Sequence, residues 1–431
     1  MAGSPTTARA AAPRSGFHYA YLIVLAGIVI TGVPCALVYS CAGIFFTPVS
    51  EALGVSKAAF SLYFSIANMA MMVSLPVAGR LMGKMDIRVV LGVSTALCGF
   101  GLASFSLFDA VWQFYIVGAL MGLGIAPLLY LAVPTLINAW CVRRVGFFVG
   151  LCMAFTGIGG VVFNPLGSAL IASGPEGWRT AYLVYGLIIL VVALPVVVFV
   201  VRGRPEEKGL LPYGADEAAA AGQASSALRG VSAPRAMRTA AFLALAAFCG
   251  LITLNQTVYQ FLPSYLSALA GAGAPELAAL TGAVASVCMA GQAIGKVVLG
   301  TVSDRSAVGG LAFGLVSGIV GVLLMFLVPG VAPVLLAGAF LFGFAYACTT
   351  VLAPLLTRSV FGERDYTAIY ARISMVGSFF GAVAAVFWGW ICDLPGGYGI
   401  MFTMSVAVMG CCLALGWFAL GRRHALEAEY E

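Results

Sequence analysis

The chain predicts an all-α integral membrane protein of twelve transmembrane helices, built as two six-helix pseudo-symmetric halves. Three observations carry that expectation. Of 431 residues, 62% are hydrophobic and 9% charged, more apolar side chain than a soluble fold buries. Apolar runs of about 20 residues, the length that crosses a bilayer, recur twelve times. The loops of the first six runs are also echoed at a fixed offset by those of the last six.

The runs lie at about 19–46, 58–80, 87–108, 111–138, 145–172 and 179–201. After a polar stretch they resume at 239–266, 277–301, 309–329, 331–357, 366–391 and 398–420. The organisation that follows is a cytoplasmic tail over 1–16, a six-helix half over 17–201, a cytoplasmic linker over 202–238, a second half over 239–421 and a cytoplasmic tail over 422–431. The first apolar run is too long for a cleavable signal segment, so Phe17 opens the first span. Gly79 and Gly300, before the loops after helices two and eight, stand 221 apart, as do Arg143 and Arg364; Gly177 and Gly397 stand 220 apart. A steady offset through three loops argues for a duplicated unit in parallel orientation, with halves that pack around a central cavity and rock to open it on alternate sides. The linker, rich in Ala, Gly and Ser with acids at Glu206, Glu207, Asp216 and Glu217, reads as a flexible tether.

Charge gives the orientation. With the N-terminus in the cytoplasm, 18 of the 22 Lys and Arg fall in inside segments, and only Lys57 and Arg179 in outside loops. The basic residues thus follow membrane topology, and the net charge of +6 marks no nucleic-acid surface. The partners expected are a lipid bilayer and a small molecule, with the chain working as a monomer. Short tails point to a bacterial inner membrane. The eleven cysteines, scattered through apolar runs without a CxxC, read as packing residues, with no metal site and no cofactor. Glycine stretches at Gly118–Gly124 and Gly157–Gly160 read as close helix contacts, and Pro127, Pro134, Pro165 and Pro354 as kinks.

Two cations remain. Lys296 and Arg372 lie inside apolar runs, while all 16 acidic residues fall in loops, tails or helix ends. A charge at such depth costs several kcal/mol. With no acid there to pair with, the fitting partner is an anion that comes and goes. Lys offers three donors and Arg a planar fork suited to a carboxylate. Gln292 lies one turn before Lys296 on the same face, and Asn255, Gln256, Tyr259 and Gln260 add hydrogen-bonding groups in helix seven. The competing reading is that both long side chains snorkel to the headgroups.

The segment Gly300-Thr-Val-Ser-Asp304-Arg305 resembles the GxxxDR loop signature of the major facilitator superfamily. Its first-half counterpart, Gly79-Arg-Leu-Met-Gly83-Lys84-Met-Asp86, departs from it, with Gly83 where the family has Asp; Asp86 is the candidate substitute. The chain is further similar to the oxalate/formate antiporter and monocarboxylate transporter branch. The segments that carry this likeness are Phe46-Thr-Pro48 with Glu51-Ala-Leu-Gly54-Val-Ser56, Trp140-Cys-Val-Arg143-Arg144-Val-Gly146, Gly177-Trp178-Arg179-Thr-Ala-Tyr182 and Arg204-Pro-Glu-Glu-Lys-Gly209-Leu-Leu-Pro212-Tyr-Gly214. The resemblance implies that Lys296, four residues before the loop glycine, contacts a substrate carboxylate. It implies the same for Arg372, one or two residues out of the branch's register in helix eleven. It implies pocket aromatics at Tyr130, Tyr346 and Tyr39, and loop-gate residues at Asp304, Arg305, Asp86, Arg143 and Arg144.

The function expected is alternating-access transport of small mono- or dicarboxylates, by exchange or uniport, since no acid or His lies at depth to relay a proton. The alternative on the same fold is efflux of amphipathic or neutral compounds. A sensor would carry an added soluble domain. An intramembrane enzyme would carry HExxH, paired aspartates or a Ser/His dyad within the helices, and none is present in the sequence.

Overall fold

The computed structural model describes residues 18–55, 57–215, 230–271, 277, 280–392 and 394–423. The far ends of both tails, the linker acids Asp216 and Glu217, and the loop acid Asp393 lie outside the described residues. Among those described, twelve helices are long and apolar enough to cross a membrane. They are α1 (Ala20–Phe45), α2 (Leu62–Lys84), α3 (Ile87–Phe105), α4 (Val111–Trp140), α5 (Val145–Ile171), α6 (Gly177–Val200), α7 (Ala240–Phe261), α8 (Ala283–Arg305), α9 (Ala307–Leu327), α10 (Ala332–Phe361), α11 (Tyr366–Ala384) and α12 (Gly397–Gly421). Each falls on one expected apolar run. The only β pairing among the described residues is two isolated bridges.

Helices α2 and α8 run past their expected ends, to Lys84 and Arg305. Charges punctuate these ends, Arg80 and Lys84 in α2 and Asp304 and Arg305 in α8, so the apolar run stops before the helix does. A basic residue there faces the carbonyl end of the helix dipole, which favours it. The next helix begins with a cap in both places: Asp86 Oδ1 accepts from the Arg88 N–H at 2.9 Å, and Ser306 Oγ accepts from the Gly309 N–H at 3.0 Å. The Arg88 guanidinium, hydrogen-bonded to Asp86, holds the Asp86 carboxyl below its usual range.

Prolines change the winding where the site residues sit. The C-terminal part of α1 from Thr31 to Ser40, containing Pro34, winds as a π-helix, and so does Pro127–Ala132 in α4. A proline gives no N–H to the regular ladder, and widening the turn re-satisfies the freed carbonyls. In α10 the regular helix stops at Ala347 and resumes at Leu352, just before Pro354. Tyr39, Tyr130 and Tyr346 therefore lie on or beside irregular turns. Pro165 sits inside an unbroken stretch of α5.

The first six and last six helices meet most closely where α5 packs on α8 and α2 on α11. Gly146 and Gly300 face each other so tightly that a Cβ on either would press on the other's carbonyl oxygen, and one on Gly150 would press on that of Lys296. Only glycine permits this approach. On the second seam Gly79 lies against Ala371 and the Thr367 carbonyl, and the Thr135 and Thr367 hydroxyls meet at 3.1 Å. These contacts gather at the end of the bundle that carries the loops after α2, α4, α8 and α10, so at that end the seams are closed.

Both described ends of the linker are docked. Tyr213 pairs with Cys141 at the end of α4, and Gly230 with Gly362 at the end of α10. The Tyr213 N–H donates to the Trp140 carbonyl at 2.8 Å and the Val231 N–H to the Phe361 carbonyl at 3.0 Å. Cys141 and Gly362 are separated by the repeat offset of 221, so the linker meets each half at the equivalent place. A tether was expected; the terminal carbonyls of α4 and α10 lack intrahelical partners, and the linker backbone supplies them. At the other end of the bundle Arg179 donates to the Ser106 and Phe108 carbonyls at 2.9 and 3.0 Å and pairs with Asp109 and Glu176, tying the start of α6 to the loop before α4. None of the eleven cysteines forms a disulfide, and nine are buried.

Candidate functional site

Lys296 is 2% exposed and reaches across the α5–α8 seam. Its Nζ donates to the Met153 carbonyl at 3.1 Å and to Thr156 Oγ1 at 2.9 Å. Cys35 of α1 is the other titratable group that acts on it. No carboxylate pairs with it among the described residues. An ammonium has three donors, and two are taken by neutral oxygens, which leaves one N–H and the whole charge uncompensated. Gln292, 6% exposed, turns toward the same seam, with its Oε1 beside Gly157.

The three expected tyrosines come together. Tyr130 lies within electrostatic reach of Tyr39 and Tyr370, and Tyr346 within reach of Tyr259, Tyr39 and Tyr130. The Tyr259 and Tyr346 rings stack at 5.2 Å, and the Tyr39 hydroxyl donates to Asn68 Oδ1 at 3.2 Å. Tyr39 and Tyr130 come from the first six helices, Tyr259, Tyr346 and Tyr370 from the last six, so the cluster straddles the interface. Tyr39 joins it to Lys296 through Cys35, one helical turn away on α1. A pocket lined by Tyr39, Phe64, Asn68, Met71 and Ile125 opens beside Tyr39, but no residue of α7–α12 lines it. It is a gap within the first half, separate from the meeting point of the two.

Arg372 is placed elsewhere. Its Nη1 donates to the Ala368 carbonyl at 2.8 Å, one turn back on its own helix, and the charges that act on it are Arg80 and Asp365. It joins neither Lys296 nor the tyrosines in any described contact. A guanidinium on a long stem near a helix start reaches a carbonyl and the polar boundary more cheaply than the dry interior.

Of the loop residues, Asp304 crosses the seam. Its two oxygens accept from the Gly146 and Phe147 N–H groups at 2.6 and 2.9 Å, capping α5 from the end of α8. Arg144 takes a left-handed φ of 57° to turn the chain from α4 into α5. Arg143, Arg144 and Arg305 are exposed. Asp86 does not take the seam role expected of it: its carboxylate is committed to Arg88 and the start of α3, so the α2–α11 seam closes on Gly79 and the threonine pair instead. Asp304→Asn keeps an acceptor but loses the charge and one oxygen, so the cap weakens by about 1 kcal/mol. The expected readout is roughly fivefold faster amide hydrogen exchange at the start of α5; unchanged exchange would mean that the cap does not hold the seam.

Tyr370, Ser374, Ser378, Thr156 and Cys35 were not singled out in the sequence. For α11 the signal is there: Tyr366, Tyr370, Ser374 and Ser378 recur every four residues along one face. Nothing local marks Thr156 and Cys35, which are defined by the approach of other helices.

Comparison with known proteins agrees with this architecture. A family model described as Major Facilitator Superfamily matches residues 28–305. The oxalate:formate antiporter of Oxalobacter formigenes is 29% identical over 186 residues, covering 43% of this chain and 42% of that protein; the match therefore spans less than half of the relative. Among solved structures, the proton:xylose symporter XylE bound to 6-bromo-6-deoxy-D-glucose superposes with a TM-score of 0.68 at 14% identity, covering 96% of this chain and 99% of that one. The E. coli fucose:proton symporter FucP gives 0.68 at 15% identity, over 93% and 98%. At these identities the two structures speak for the fold alone.

Proposed function

The chain belongs to the Major Facilitator Superfamily, and we propose that it is a secondary transporter of small organic anions, mono- or dicarboxylates, working by alternating access as an exchanger or uniporter. The observation that carries this reading is Lys296: a fully enclosed ammonium between the two halves with two neutral hydrogen-bond acceptors and no counter-charge among the described residues. A carboxylate about 4 Å from that charge gains roughly 4 kcal/mol at an effective dielectric near 20, comparable with its loss of hydration. Gln292 and the tyrosine hydroxyls supply the remaining donors. The oxalate:formate antiporter, named for two small carboxylates, supports the same substrate class.

The seams closed near Asp304 and Gly79 give one of the two arrangements that alternating access requires. A substrate entering from the opposite end would meet Lys296 just beyond the closed zone. In this reading Arg372 sits outside the binding site. Arg372→Gln is expected to leave carboxylate affinity within about twofold of wild type, since a guanidinium turned back on its own helix beside Arg80 and Asp365 adds little to a remote ligand. A tenfold loss would return Arg372 to the site.

The direct experiment is uptake of labelled short carboxylates into proteoliposomes, with and without unlabelled acid inside. Saturable uptake that needs internal acid identifies an exchanger, and equal uptake into empty vesicles a uniporter. Absence of uptake for every acid, or uptake that persists in Lys296→Gln, rejects the proposal.

A further inference from the structure

Helix α11 carries two hydroxyls that nothing in the described structure occupies. Ser374 is 0% and Ser378 3% exposed, and neither Oγ has a hydrogen-bond partner. Hydroxyls inside membrane helices usually donate to the carbonyl four residues back. Thr95, Thr253, Thr301 and Thr357 all do so here, at 2.7 to 2.9 Å. The two serines do not. A buried unpaired hydroxyl is costly, so a pair of them one turn apart on one face asks for a ligand.

Their surroundings place them on the interface. Ser378 lies beside the Tyr130 hydroxyl and Ser374 beside that of Tyr370, both without a bond of good geometry. Further along the stripe, Tyr366 stacks on Tyr370 with ring centres 5.8 Å apart and lies against Asn138 of α4, while Thr367 meets Thr135. The face of α11 that carries the serines thus looks across to α4, into the tyrosine cluster.

The internal repeat fixes their depth. At the offset of 221, Ser374 and Ser378 correspond to Met153 and Gly157 of α5. The Lys296 ammonium rests on Met153 and Thr156, and Gln292 lies beside Gly157. The serines are therefore level with the ammonium, on the opposite seam. The α2 position that corresponds to Lys296 is Leu75, fully buried, so the second seam offers hydroxyls where the first offers a cation.

Building on the carboxylate reading above, we infer that Ser374 and Ser378, with Tyr130 facing them, form the subsite for an uncharged hydroxyl or carbonyl end of the transported acid. The substrate class is then an acid with one carboxylate, held at Lys296, and one neutral polar group, held at α11. A second carboxylate in this position would be buried against hydroxyls with no cation beside it, which disfavours it. A methyl end would leave the serines unpaired.

The test uses three series of acids matched in carbon number and differing only at the far end: acetate, glycolate and oxalate; propionate, 3-hydroxypropionate and malonate; butyrate, 4-hydroxybutyrate and succinate. Binding is measured on purified wild type, Lys296→Gln, and the double variant Ser374→Ala with Ser378→Ala. At the length that fits, the hydroxy acid is expected to bind about tenfold more tightly than its methyl and dicarboxylate partners. The double variant should lose that advantage and keep the affinity for the methyl acid. Its ligand-free melting temperature should match or exceed the wild type, because the hydroxyls removed had no partner. A preference for the dicarboxylate, or a hydroxy preference that survives in the double variant, overturns the subsite while leaving the role of Lys296 intact. If wild type binds none of the nine, or Lys296→Gln binds them equally well, the carboxylate reading falls and the subsite falls with it.

Discussion

Lys296→Gln is expected to lower carboxylate affinity about a thousandfold, the equivalent of the roughly 4 kcal/mol assigned to one ion pair in a partly screened interior. Transport should fall below detection. The ligand-free variant should be at least as stable as wild type, because the substitution removes a buried charge that has only the Met153 carbonyl and the Thr156 hydroxyl for company. This combination separates an anchoring role from a structural one. If Lys296 were a structural pair partner, its loss would destabilise the protein without a ligand; if it snorkelled, neither affinity nor stability would respond. Lys296→Arg keeps the charge, but its larger planar head must fit where the ammonium meets the Met153 carbonyl and the Thr156 hydroxyl. It should restore only part of the binding.

The second large effect concerns the seams. Gly300 and Gly146 approach backbone to backbone, and Gly300→Val must push α8 away from α5. Overpacking of this kind costs about 1–3 kcal/mol, so the closed arrangement should lose roughly ten- to a hundredfold in population relative to the one in which these ends part. The threonine pair on the other seam reports it independently. Cysteines introduced at Thr135 and Thr367, whose hydroxyls meet at 3.1 Å, should cross-link readily in the otherwise native chain and at least tenfold less in the Gly300→Val background. Transport should fall in parallel. Equal cross-linking in both backgrounds would show that the two seams do not open together.

The fold was legible because membrane helices are written in composition. Every span followed from a run of apolar residues whose length matches the bilayer, and the repeat offset joined Gly79 to Gly300 without any structure. The ends of α2 and α8 were less legible, since charges at Arg80 and Lys84, and at Asp304 and Arg305, interrupt the apolar run before the helix stops. The site was legible in part. Hydropathy identifies a charge as deep but not which way its side chain turns. Lys296 and Arg372 looked alike in the sequence, both cations inside apolar runs. In the structure one crosses a seam to α5, and the other folds back on the Ala368 carbonyl near Arg80. Asp304 and Asp86 diverge likewise: Gly146 lets α5 come close enough for the first to cap it, while Arg88 takes up the second. The serine stripe of α11 was visible as a four-residue period, but only the missing hydrogen bonds distinguish it from ordinary polar packing.

The measurement that bears most directly on the role of Lys296 is thermal melting of the purified protein in detergent against a panel of small carboxylates, with Lys296→Gln beside it. A ligand present at a hundred times its dissociation constant stabilises the folded state by about 2.7 kcal/mol, enough to shift the melting temperature measurably. The expectation is a shift with at least one acid in the wild type and none in the variant. A panel without any shift, or a variant that responds as the wild type does, would mean that the buried ammonium is not the anchor of a carboxylate.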